Sequence, residues 1–188
     1  MITGSSGGGT DLMARLIAQG ISGPLGQPVI VDNRSGVVSA EAVSKAPPDG
    51  YTVLVSGGTL WTFPLLAKAP YDVVKDFLPV VMTDRAVLII AVHPSLPVKS
   101  VRELIALAKA RPGELNYGSG PSGGSSHLAA ELFKSMTGAN ILRVPYKGGG
   151  PGLIGLLAGE VQMTIDGAPL APHIRSGRLR GLAVTSAE

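Results

Sequence analysis

S-S-G-G-G-T-D-L-M-A-R-L-I, residues 5–17, runs three consecutive glycines straight into a segment whose apolar residues recur at helical spacing. Leu12, Met13, Leu16, Ile17 and Ile21 fall on one face, which predicts a helix over 10–22. A glycine loop feeding a helix start leaves free N–H groups under the positive end of the helix dipole, an arrangement suited to an anion. No Gly-Lys-Ser/Thr follows, so a phosphate loop of the Walker type is excluded. A plain turn capped by Thr10 or Asp11 accounts for the same residues, and both readings stay open. Asp11 itself would repel an anion unless it caps backbone, holds a water or meets a ligand ammonium group.

The pattern outward from this loop alternates strand and helix, which argues an α/β fold. Strands are predicted at 29–31, 51–55, 78–83 and 86–92, then at 115–117, 141–144, 161–166 and 182–184. Helices are predicted at 39–46, 59–66, 100–110, 125–136 and 152–158. Ser100 with Glu103 three residues on reads as a capping box. Four loops of small residues are expected beyond strand ends: Gly7–Thr10, Ser56–Thr59, Gly118–Ser126 and Lys147–Gly150. Ligands of open α/β sheets bind at that edge, so four such loops predict a binding cleft.

Composition excludes several function classes. The chain has 188 residues, 45% hydrophobic and 15% charged, enough apolar material for one or two folded units. The net charge of +3 is scattered apart from Arg175, Arg178 and Arg180, with no basic run interleaved with aromatics, so nucleic acid is not an expected partner. No apolar run reaches the roughly 20 residues of a membrane span. M-I-T-G-S-S lacks the features of an export signal. With no cysteines, and with His93, His127 and His173 outside any metal spacing, neither a metal nor a cofactor is expected.

Other motifs carry weaker chemistry. G-S-G-P-S-G at 118–123 fits a dinucleotide fingerprint in form, but the next strand ends without the required acid. G-P-S-G-G at 120–124 fits a nucleophile elbow, with Ser122, Asp166 and His173 in hydrolase order, although the latter two are only seven residues apart. Trp61 is either core or a cleft wall for a flat ligand. Tyr146 and Lys147 could meet a carboxylate, and His127 could touch a ligand or simply face solvent.

G-G-G-T-D-L-M-A-R-L-I, L-G-Q-P-V-I-V-D-N-R, K-A-P-P-D-G-Y-T-V-L, P-Y-D-V-V-K-D-F, K-S-V-R-E-L-I-A-L-A-K-A-R-P-G-E-L-N-Y-G-S, S-H-L-A-A-E-L-F-K-S-M-T-G and V-P-Y-K-G occur in this order. Together they resemble the Bug/TctC family, the extracytoplasmic solute receptors of tripartite tricarboxylate transporters. The resemblance implies a two-lobed periplasmic-binding-protein type II fold, a small carboxylate ligand, membrane transporter subunits as partners, a periplasmic location, a monomer and no enzymatic activity. A carboxylate sensor and a hydrolase using Ser122 stand as alternatives. By the same resemblance, Gly8, Gly9, Thr10 and Asp11 would pinch the carboxylate against Ser119, Gly120, Ser122, Gly123, Ser125, Ser126 and His127. Ser56, Gly57, Thr59, Trp61, Tyr146 and Asp166 would shape the rest of the pocket. Lobe one is expected over 1–84 and lobe two over 85–184, with hinge strands near 86–92 and 182–185. Set against the family, this chain is expected to lack the first strand and the C-terminal return of lobe one.

Overall fold

The computed structural model describes residues 1–186, which form two separate sheets with helices packed on them. The first sheet holds β1 (Ile2–Thr3), β2 (Asp32–Asn33) and β3 (Leu54–Val55), all parallel in the order β2-β1-β3. Helices α1 (Gly9–Leu25), α2 (Val37–Ser44) and α3 (Thr59–Leu66) follow these strands in turn. The expectation that the first strand is missing is therefore corrected. Ile2–Thr3 takes the interior position, where Ile2 N–H donates to Val53 O at 2.8 Å and Asp32 N–H to Met1 O at 2.9 Å. Thr3 is fully buried and its hydroxyl donates to Val55 O. Two residues suffice because both neighbours pair with them.

The second sheet has the order β6-β5-β7-β4-β8. Its members are β4 (Ile89–Val92), β5 (Asn116–Ser119), β6 (Leu142–Pro145), β7 (Met163–Asp166) and β8 (Arg180–Val184). Strands β5, β6 and β7 run parallel, whereas β4 runs antiparallel to both β7 and β8. Helices α4 (Val101–Ala110), α5 (Ser125–Thr137), α6 (Gly149–Leu157) and α7 (Ala171–Arg175) complete the unit. One buried cluster joins Val92, Leu104, Tyr117, Ile141, Met163 and Ile165, and a second joins Leu156, Val161, Leu170 and Leu179. The core thus sits on both faces of the five-stranded sheet, as expected of a largely parallel sheet flanked by helices.

Several predicted elements differ in their bounds from those observed, among them the strands at 51–55 and 86–92, which begin at Leu54 and Ile89. V-I-V at 29–31 lies outside the ladder, with Val29 N–H donating to Ser22 Oγ and Ile30 O accepting from the Met1 ammonium, and strand pairing begins at Asp32. Helix α6 starts at Gly149, three residues earlier than its apolar face implies, because glycines carry no periodic signal. L-P-V-V-M-T at 78–83 forms no strand: Leu78 is 89% exposed and Val80 85%. Pro79 lacks a donor and no neighbouring strand among the described residues offers a ladder, so apolar content alone does not make it a strand. At the end of the β4–β8 ladder, Thr185 N–H donates to Leu88 O at 2.9 Å, which ties the segment entering β4 to the one leaving β8.

Candidate functional site

Helices α1, α2, α3, α5 and α6 each follow the carboxyl end of a parallel strand, so their N-termini gather where the two sheets face one another. Each has glycine at the N-cap (Gly8, Gly36, Gly58, Gly124 and Gly148), and none receives a side-chain cap. Helix α4 follows the antiparallel β4 and begins at the opposite end of its sheet, where Ser100 Oγ accepts from Glu103 N–H at 3.2 Å. The glycine-capped starts are thus the ones that face the cleft. Each leaves its first N–H groups without intrahelical partners, beneath a positive dipole end.

The two lobes meet along a seam of backbone. Ser35 Oγ donates to Lys147 O at 2.5 Å and Thr62 Oγ1 to Gly123 O at 2.6 Å. Gly36 lies beside Pro121, and Gly8 beside Gly149. A methyl group at Gly148 would overlap Ser5 Oγ, and one at Gly150 would overlap Ser6 O, so these glycines are what permits the approach. Between Gly8, Gly9, Gly149, Leu153, Thr164, Asp166 and Leu170 remains a cavity of about 10 Å³, room for one water. Closure is complete at this point.

The expected pinch between the first loop and Ser119–His127 is redistributed. Gly8 and Gly9 face Gly149 and Asp166, whereas the Ser119–His127 loop faces α3 through Gly123–Thr62 and Gly124–Thr59. Gly120 approaches Gly148 and so lies one residue away from the first loop. Asp11 is buried and committed to its own loop. Burial alone would raise its carboxyl, but Asn33 Nδ2–H, Gly7 N–H and the Arg15 guanidinium outweigh it and hold it below the usual carboxylate range. Asn33, which the sequence did not single out, also donates to Gly4 O at 2.8 Å and so fixes the glycine loop from β2. Thr10 sits under the same loop, its hydroxyl against Gly4 and its methyl against Gly57.

Asp166 ends β7 half-buried, its Oδ2 directed at Gly149 and its Oδ1 accepting Gly167 N–H at 2.8 Å. Burial pushes its carboxyl up, with the Gly167 N–H opposing. On the second loop, Ser126 Oγ accepts Gly120 N–H at 3.2 Å, and His127 Nδ1 accepts Gly123 N–H at 3.1 Å. Nδ1 as acceptor places the imidazole proton on Nε2, and burial followed by the Arg143 charge holds the ring below its ordinary pKa. Ser119 is buried, whereas Ser122 and Ser125 are exposed. Ser56 and Gly57 are exposed at the end of β3, and Trp61 stands 55% exposed on α3 instead of packing into the core.

Tyr146 is not at the cleft. Its ring packs against Gly118 and Gly152, and its hydroxyl donates to Glu160 Oε2 at 3.0 Å. The glycines of α6 leave a slot that the ring fills, which draws it away from the ligand side. The hydrolase arrangement is not assembled either. Ser122 Oγ accepts from Arg143, Asp166 is bonded to Gly167, and His173 Nδ1 has no partner among the described residues. Nor do the described residues contain a cluster able to hold a metal.

The chain matches the profile of the tripartite tricarboxylate transporter family receptor over residues 13–188. It is 42% identical to protein BugT of Bordetella pertussis over 189 residues, covering 97% of this chain and 58% of that protein. Among solved structures, Rpa4515 of R. palustris with adipate superposes at a TM-score of 0.94 with 43% identity, covering all of this chain and 66% of that one. MatC from Rhodopseudomonas palustris with bound malate superposes at 0.88 with 28% identity, covering all of this chain and 67% of that one. The chain therefore spans a little under three fifths of the length of BugT.

Proposed function

Because the chain belongs to the tripartite tricarboxylate transporter receptor family, we propose that it captures a small carboxylate between its two lobes and presents the closed form to a membrane transporter. The observation that carries this reading is the set of five glycine-capped helix starts turned toward one cleft, beside a sixth helix that caps itself elsewhere. Backbone N–H groups at Gly9, Thr10, Gly149, Ser125 and His127 would share the ligand's negative charge, without an arginine in direct contact. Ser56, Gly57, Thr59 and the exposed Trp61 would border the rest of the ligand.

A cavity of about 10 Å³ at this seam cannot hold a carboxylate, so the ligand enters an open form and the lobes close beside it with the Gly148–Gly150 seam in contact. The residues that shape the cleft thus act twice, once as donors and once as the closing surface. The protein works as a monomer in the periplasm, where a transporter partner reads its closure. The dicarboxylates named with its structural relatives, adipate and malate, head the set of ligands to try.

Titration calorimetry of the 188-residue chain with adipate, malate, a monocarboxylate and inorganic phosphate tests the reading. Saturable binding of at least one carboxylate, with phosphate bound more weakly, is the expected result. No heat from any carboxylate, on protein shown to be folded, overturns it.

A further inference from the structure

Arg143 belongs to no motif in the sequence and yet spends its entire guanidinium on the second loop. From β6, at the edge of the sheet, its Nε donates to Ser119 Oγ at 2.8 Å, its Nη1 to Ser122 Oγ at 3.0 Å and its Nη2 to Gly120 O at 2.9 Å. All three acceptors are neutral. The ion pairs among the described residues use Arg15, Arg34, Lys45, Lys75 and Lys134, and Arg143 is in none of them. A half-buried cation without a carboxylate is uncommon, because removing a charge from water is costly unless an opposite charge answers it. Arg180 is likewise held by neutral carbonyls, but it lies on β8 at the other edge and ties down Leu96 and Val98.

The loop that Arg143 holds is the one that closes on lobe one. Pro121 meets Gly36, Gly123 O accepts from Thr62, and Gly124 lies against Thr59. Ser122 Oγ accepts from the guanidinium while its own proton has no acceptor among the described residues. A hydroxyl polarised in this way by a cation is a stronger donor toward an anion.

We infer that Arg143 is a positioning and specificity-determining residue: it fixes the Ser119–Ser122 turn and supplies the positive charge that the anionic end of the ligand answers. The inference rests on the carboxylate-receptor reading. It goes beyond it by giving the lobe-two loop a side-chain charge, held by Arg143, that favours an ionised carboxylate at that loop.

The test uses Arg143→Gln, which keeps hydrogen-bonding capacity but no charge, and Arg143→Lys, which keeps the charge but not the fork. Calorimetry with adipate is paired with NMR titration of His127, which Arg143, Glu131 and Lys134 all face. Arg143→Gln is expected to weaken adipate by roughly tenfold, as for loss of one partly screened charge, and to flatten the salt dependence. Arg143→Lys is expected to recover part of that loss. His127 should titrate closer to its ordinary value in the glutamine variant and stay depressed in the lysine variant. Adipate affinity in Arg143→Gln within twofold of wild type overturns the inference, as does a lysine variant no better than the glutamine one. Failure of the wild-type chain to bind any carboxylate overturns the receptor reading instead, and the His127 titration still decides whether Arg143 places its charge on the loop.

Discussion

Helices α4 and α1 begin almost identically and end up doing opposite things. In α4, Glu103 in the first turn reaches back to accept Lys99 N–H at 2.7 Å; in α1, Asp11 at the same position accepts Gly7 N–H at 2.9 Å. Helix α5 repeats the device with a neutral ring, His127 Nδ1 accepting Gly123 N–H. The difference lies one residue after that amide, at the N-cap. Ser100 closes α4 on itself, while Gly8 and Gly124 leave α1 and α5 open. A capping side chain satisfies donors within the helix, and its absence reserves them for something else. The comparison separates the part of a helix start that secures the loop from the part that serves a ligand.

The largest expected effect comes from removing the close approach that lets the open starts share one ligand. Gly150→Ala places a methyl group on Ser6 O, which is backbone and cannot swing aside. Overpacking of this kind costs about 1–3 kcal/mol, so carboxylate affinity should fall by roughly ten- to a hundredfold. Thermal unfolding should change little, because the clash exists only between closed lobes. Unaltered affinity by calorimetry would show that closure at this seam is irrelevant to binding.

Exchanging the caps is the next test. Gly8→Ser fits the observed extended backbone and gives α1 the cap that α4 has; carboxylate affinity should drop several-fold while stability rises by a few tenths of a kcal/mol. The reciprocal Ser100→Ala should cost about 1 kcal/mol in denaturant unfolding and leave affinity alone. If both substitutions changed affinity alike, the two classes of helix start would not be functionally distinct.

The smallest effect concerns α5. His127 is held below its ordinary value of 6.5 by burial first and then by Arg143, with Glu131 opposing and Lys134 adding to the depression. The folded state therefore binds this proton less readily than the unfolded chain does. The stability it contributes is present above pH 6.5 and is lost as the solution is acidified below that value. Protonation also turns Nδ1 from acceptor to donor and breaks the bond from Gly123 N–H. Comparing wild type with His127→Gln in unfolding experiments from pH 7.5 to 5.5 should show a shallower decline in the variant. Parallel declines would remove His127 from the account.

Much of the fold was legible because it is written locally. The capping box at Ser100, the glycine loops and the alternation of apolar segments placed most of the helices within a few residues. The run at 78–83 misled because strand formation depends on a neighbour, and composition carries no record of one. Tyr146 misled for a related reason: only packing reveals that Gly118 and Gly152 open a slot for its ring. Asn33 and Arg143 gave no signal, since an asparagine after a strand and an arginine within one look ordinary until their partners, far along the chain, are in place.

The sequence by itself determined that loops of small residues precede several helices, whereas the N-cap glycines of α2 and α6 became evident only once those helices were seen to start at Val37 and Gly149. It also carried the family likeness, through long runs of matching residues. The pairing across the cleft was decided by tertiary structure alone. The first loop faces Gly149 and Asp166, the second loop faces α3, and Arg143 holds the second loop from the neighbouring strand. These contacts join residues up to more than a hundred positions apart, as Ser35 to Lys147 shows. Their geometry follows from strand direction: parallel strands bring their loops to one edge, and the antiparallel β4 sends α4 to the other.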